Sequence, residues 1–157
     1  MPMRIGDAMP PLDGATTWFN GSREDVQKNI KGKPTMVHFW AVSCGICKDK
    51  MPQLNDLKNK YGVLGLQTIS IHMPRYEADT DLDMVNEAMT SHHITEPTAV
   101  DSLHKLKDAF LNEQGWVPVY YLFDAEGKLK TRAAGEFGIS VLQTALDKMF
   151  ALQTVAA

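Results

Sequence analysis

The stretch HFWAVSCGICKDKMP, residues 38–52, holds the only two cysteines of the chain, Cys44 and Cys47, with Gly45 and Ile46 between them. This spacing serves four chemistries: a metal clamp, a structural disulfide, a peroxide-reactive thiol with its resolving partner, or a dithiol that shuttles electrons. Upstream, KPTMVHFW (33–40) is an apolar run opened by Pro34, rich in Val, Phe and Trp, with the length of a buried strand. Downstream, from about Gly45 to Tyr61, the apolar residues Ile46, Met51, Leu54 and Leu57 recur at helical spacings. Pro52 interrupts that run and is expected to kink the helix by removing one backbone donor. Strand, cysteine pair, kinked helix is the local order.

Beyond the helix, LGLQTISIH (64–72) reads as a second strand, and a strand-helix-strand unit favours a parallel pair with a right-handed crossover. The charged segment opening MPRYEAD leads to a helix expected over about 81–92. Thr80 or Asp81 would cap it, and Leu82, Val85 and Met89 form its apolar stripe. A short strand TAVD (98–101), a short helix SLHKLKDAF (102–110), a hairpin turned at DAEG within VPVYYLFDAEGKLKTRAAGEFG, and an amphipathic helix over 140–152 complete the order. Strands alternating with helices, then a terminal hairpin and helix, predict an α/β fold with a central mixed sheet flanked by helices on both faces.

With 157 residues, 44% of them hydrophobic and 22% charged, the whole chain is expected to be one domain with a sizeable core. A net charge of −3 without a Lys/Arg cluster gives no footprint for nucleic acid or anionic lipid, so proteins and small molecules are the expected partners. The start MPMRIGDAMPPLDG lacks the basic end and apolar run of a signal peptide, and no run of about 18 apolar residues occurs. A cytoplasmic location is therefore expected, or an extracytoplasmic one if a leader or anchor has been removed. In a reducing compartment two cysteines argue for catalysis or metal binding over a permanent staple.

Several separated features together resemble the thioredoxin superfamily, and within it the TlpA/ResA-like thiol:disulfide oxidoreductases with their AhpC/TSA-redoxin-like domain. These are VHFWA running into CGIC, Pro52 five residues after Cys47, the strand and turn WVPVYYLFDAEGK, and AAGEFG before the last helix. RIGDAMPPLDG and the segment around 74–97 resemble that group's N-terminal extension and helical insertion. The resemblance implies a thioredoxin fold and dithiol–disulfide exchange, with reduction of protein disulfides as the expected direction. Cys44, at a helix N-terminus where dipole and free N–H groups favour the thiolate, would attack; Cys47 would resolve the mixed disulfide. Pro118 would adopt a cis bond and shape the substrate groove, leaving the Val117 backbone free to pair with a substrate strand, with Trp40 bordering that surface. No cofactor is implied, because the cysteines carry the electrons. An external electron donor is required, and a monomer is expected.

Three residues depart from the relatives. Ile46 stands where thioredoxin has Pro, and His38 where it has a buried Asp. His38 could accept the proton of Cys47 as a general base, or be an ordinary hydrogen-bonded core histidine. Lys50 replaces the Glu of ResA-like proteins and could tune the thiols, or simply be solvated. Zinc would need a second ligand pair, and His92 and His93 are adjacent where intervening residues are usual. A thiol peroxidase is the alternative enzyme, but VHFWAVSC (37–44) lacks the peroxiredoxin Pro-x-x-x-Thr/Ser-x-x-Cys signature. A non-enzymatic thioredoxin-like binding module is the third alternative.

Overall fold

The computed structural model describes the backbone of residues 1–156 and side chains through residue 151. Its elements in chain order are β1 (Thr17–Phe19), α1 (Arg23–Ile30), β2 (Thr35–Trp40), α2 (Gly45–Gly62), β3 (Gln67–His72), a 3-10 turn (Glu77–Thr80), α3 (Leu82–Ser91), β4 (Thr98–Val100), α4 (Lys105–Ala109), β5 (Val119–Phe123), β6 (Leu129–Ala134) and α5 (Gly138–Ala156). The strands form one sheet in the order β1-β4-β3-β2-β5-β6. β2, β3 and β4 are parallel neighbours, while β1, β5 and β6 join antiparallel, which gives the expected mixed sheet.

All six residues of β2 are buried, because it lies between β3 and β5 and both its faces are covered. Side chains alternate across the sheet. Met36 and Trp40 enter a cluster with both cysteines, Leu54 of α2, Val85 of α3 and Leu142 of α5. Val37 and Phe39 enter the opposite cluster with Leu12, Val26 of α1 and Leu106 of α4. There Phe39, Phe110 and Tyr121 meet edge to face, with ring centroids 5.3 to 5.7 Å apart. Such pairs add about 0.5–1.5 kcal/mol each beyond the buried area.

The differences from the sequence reading are local. β1 and α1 were not anticipated: β1 has three residues and α1 buries only Val26, so neither carries a strong periodicity. Ser22 caps α1 by accepting from the N–H of Asp25. The N-terminal extension is present and pairs with the far hairpin, Gly6 N–H donating to the Leu129 carbonyl and Met9 N–H to that of Gly127. α2 runs as one helix through Pro52. Asp81 is the cap of α3, but Leu82, expected in its apolar stripe, is 44% exposed. α4 begins three residues late. His104 takes a left-handed φ of 58°, and the buried Asp101 carboxylate accepts the N–H groups of Leu106 and Lys107, each at 2.8 Å. The hairpin turns as expected, with Asp124 Oδ1 accepting from Glu126 and Lys128 and Gly127 at φ +76°. Of the helix expected over 140–152, Leu152 has its side chain outside the described residues.

Candidate active site

β2 delivers the chain through Ala41 to Cys44, the N-cap residue of α2. The Cys44 N–H donates to the Ala41 carbonyl at 3.0 Å, and Cys44 Sγ accepts from the Cys47 N–H at 3.1 Å. Cys44 and Cys47 are joined as a disulfide with a Cα–Cα distance of 5.3 Å, so one helical turn brings them together. Both are buried, while Gly45 and Ile46 between them face solvent. The first turn of α2 has no acidic residue, so its N-terminal dipole is not locally offset and favours a thiolate at Cys44.

Two buried side chains, His72 and Asp79, hold the loop before Cys44. His72, fully buried at the end of β3, accepts the Val42 N–H at Nε2 (3.1 Å), and its ring meets Trp40 edge to face at 4.8 Å. Burial pushes its pKa down to about 4, against the attraction of Asp79. Asp79, buried in the 3-10 turn, accepts the Ser43 N–H at 3.0 Å and the Ser43 hydroxyl at 2.7 Å, and also the N–H groups of Arg75 and Tyr76. Burial alone would raise its pKa, but these donors outweigh it and hold the carboxyl below its usual value. The available signal was positional: His72 pairs with Trp40 at the C-terminal ends of parallel strands, where α/β folds place their sites.

His38 is buried and shares Glu96 with a helix lysine. Its Nε2 lies 2.8 Å from Glu96 Oε2, and Lys58 Nζ donates to both carboxylate oxygens at 2.8 and 2.9 Å. Burial lowers the His38 pKa despite Glu96, so the ring is neutral at pH 7 and donates its Nε2 proton. Burial opposes ionisation of Glu96 too, but the hydrogen bond from His38 and the bonds and charge of Lys58 prevail and lower its pKa to about 2. Lys58 supplies the countercharge of Glu96, and His38 beside it stays neutral.

The Val117–Pro118 bond is cis. Pro118 precedes Val119, which pairs with Phe39, so it stands at the same end of the sheet as the cysteines. Its carbonyl accepts from Gly135 at 2.9 Å, whereas the half-buried Val117 has no backbone partner among the described residues. Asn112, buried, grips the residue before it: Oδ1 accepts the Trp116 N–H at 3.1 Å and Nδ2 donates to the Trp116 carbonyl at 3.0 Å.

One expected site residue, Trp40, sits elsewhere than the sequence suggested, and Lys50 has no bonded partner among the described residues. Trp40 does not border a substrate surface. It is 1% exposed, with Nε1 donating to Ser70 Oγ at 3.2 Å, because its even position on β2 points it under α2. Lys50 is half-buried and lines a surface hollow with Gln53, Glu136 and Phe137, with no hydrogen bond or ion pair among the described residues.

The sequence matches the Redoxin family over residues 4–146. It is 42% identical over 151 residues to the thiol-disulfide oxidoreductase YkuV of Bacillus subtilis, covering 95% of this chain and 98% of that protein. It is 27% identical over 147 residues to the thiol-disulfide oxidoreductase ResA of Bacillus cereus, covering 94% and 79% respectively. Among solved structures it is similar to a thioredoxin-like protein in the oxidized form, with TM-score 0.82, 41% identity, and coverage of 95% of this chain and 98% of that one. The fold is thioredoxin-like, and the chain belongs to the Redoxin family as a thiol-disulfide oxidoreductase.

Proposed function

We propose that the protein reduces disulfides of other proteins through Cys44 and Cys47. The observation that carries this is the Cys44–Cys47 pair at the N-terminus of α2, at the end of the sheet where the Val117 backbone is unpaired. In the dithiol state the Cys44 thiolate attacks one sulfur of a substrate disulfide. A mixed disulfide forms, and the other substrate sulfur leaves as a thiolate. Cys47, deprotonated, then attacks Cys44 Sγ, releasing the second substrate thiolate and closing the Cys44–Cys47 bond. The substrate gains two electrons, the protein loses two, and an external dithiol donor returns them.

Val117 and Pro118 shape the groove that aligns the substrate strand, and the free Val117 N–H and carbonyl are its pairing groups. His38 is the proton acceptor during resolution, lying on the cysteine side of β2, and Lys48 and Lys50 add positive potential near the start of α2. Reduction is the direction in a reducing compartment such as the cytoplasm; an oxidising one would reverse it. Among the described residues no helix is long and apolar enough to cross a membrane.

A Cys47→Ser variant should accumulate a mixed disulfide through Cys44 with a disulfide-bonded protein substrate, and Cys44→Ser should accumulate none. No trapped adduct together with rapid peroxide consumption would replace this reading with a thiol peroxidase. The midpoint potential of the pair against glutathione fixes the direction, since 30 mV is about 1.4 kcal/mol for a two-electron couple.

A further inference from the structure

Between β3 and α3 the chain folds back over the loop that carries Cys44, and it brings a cation with it. Ser43 Oγ donates to Asp79 Oδ2 at 2.7 Å and accepts from Nε and Nη2 of Arg75 at 3.2 and 3.1 Å. The guanidinium carbon also lies 5.5 Å from the centre of the Tyr76 ring, and the Arg75 N–H is bound by Asp79 at 2.9 Å. A side chain that is usually free is thus held on two sides, by the Ser43 hydroxyl and the Tyr76 ring, with its backbone fixed by Asp79, one residue before the attacking sulfur. It remains exposed, as do Ser43 and Tyr76.

Arg75 has no direct ion pair among the described residues, its one nearby carboxylate, Asp79, being reached through the Ser43 hydroxyl. The Asp79 oxygens are occupied by Ser43 and by backbone N–H groups, and among the described residues no carboxylate lies within 4.0 Å of the guanidinium. Nη1 and part of Nη2 remain as unused donors in the fork geometry that suits a carboxylate. Because the side chain is already ordered, pairing sacrifices little rotamer freedom. The charged side chains nearest to Arg75 in sequence are Glu77, Asp79, Asp81 and Asp83, and those nearest to Cys44 are Lys48, Asp49 and Lys50 on α2.

We propose that Arg75 sets substrate specificity by pairing with a carboxylate side chain that flanks the reactive cysteine of the substrate disulfide, with Ser43 and Asp79 as positioning residues. This rests on dithiol exchange at Cys44. The net charge of the chain, −3, would by itself disfavour an acidic substrate, so a preference for one reports the local cation.

The test compares three disulfide-bonded peptides, identical except for Glu, Gln or Lys beside the cysteine, as substrates of the reduced full chain at low ionic strength. The Glu peptide should react about fivefold faster than the Gln peptide, the factor expected for one pair of exposed charges near 4 Å in water, and the Lys peptide should be slower still. Arg75→Gln should bring that ratio to about one, and Arg75→Glu should invert it, which a merely structural role would not do. Equal rates for the three peptides, or a ratio untouched by both substitutions, would overturn the assignment while leaving exchange intact. Failure to reduce any of the three would overturn the exchange reading and this one with it.

Discussion

The Val42 N–H donates to Nε2 of His72 at 3.1 Å, which places the ring proton on Nδ1, a buried atom with no partner among the described residues. A neutral imidazole therefore fastens the loop before Cys44, and protonation of Nε2 would remove its only acceptor for Val42.

The consequence is a stability loss on mild acidification. The folded pKa of His72 is about 4 against an ordinary 6.5. Between these values the unfolded chain binds a proton that the folded one does not, so stability falls as pH falls from about 6.5 to 4, by on the order of 3 kcal/mol in all. Denaturant melts at several pH values should show this limb in the wild type and a flatter profile in His72→Gln. Parallel profiles would disprove the role.

A second, more acidic limb belongs to Glu96, whose carboxyl is lowered from 4.5 to about 2 by His38 and Lys58 despite burial. Its contribution is present above about pH 4.5 and lost as pH falls toward 2. Glu96→Gln should lack this limb. Lys58→Met, which strands the buried carboxylate, should cost about 3–5 kcal/mol at pH 7 by chemical denaturation.

Asn112 should tolerate loss of its amide poorly. Asn112→Asp keeps an acceptor for the Trp116 N–H but sets an oxygen against the Trp116 carbonyl that Nδ2 now serves. A loss of about 1–3 kcal/mol is expected, with faster hydrogen exchange at residues 115–117.

Trp40 is a test of burial against surface function. Trp40→Phe removes the donor to Ser70 Oγ, which retains Thr98 Oγ1 at 2.6 Å. The denaturation midpoint should drop by an amount equivalent to about 1–2 kcal/mol. A stability equal to wild type, coupled with a changed substrate KM, would return Trp40 to the substrate surface.

Residues 35–72 were the most legible part of the chain, since the continuous apolar run of β2 and the spacing of Met51, Leu54 and Leu57 on α2 are local patterns. β1 and α1 were not, being short or polar. The cysteines and the cis Val117–Pro118 bond followed from motif resemblance. The contacts that hold the site did not: Ser43 meets Asp79 36 positions away, and His38 meets Glu96 58 positions away. Those partners are chosen by sheet register, to which a local pattern is blind. His72 looked like the end of a strand and Asp79 like any other acid of a charged segment, until the pairing of β2 with β3 put the one behind Val42 and the 3-10 turn put the other behind Ser43.

β2 is also a ruler read in twos. Its even residues, 36, 38 and 40, reach the layer that holds the cysteines, and its odd residues, 37 and 39, reach the aromatic layer beneath. Inserting one residue before His38 would send His38, Phe39 and Trp40 each to the opposite face. The imidazole would enter the ring cluster of Phe110 and Tyr121, and the indole would leave its place beside His72. Length in this segment can change only in pairs or be absorbed by a bulge, so the distance from the sheet's edge to its reactive sulfur is counted by parity as much as by composition.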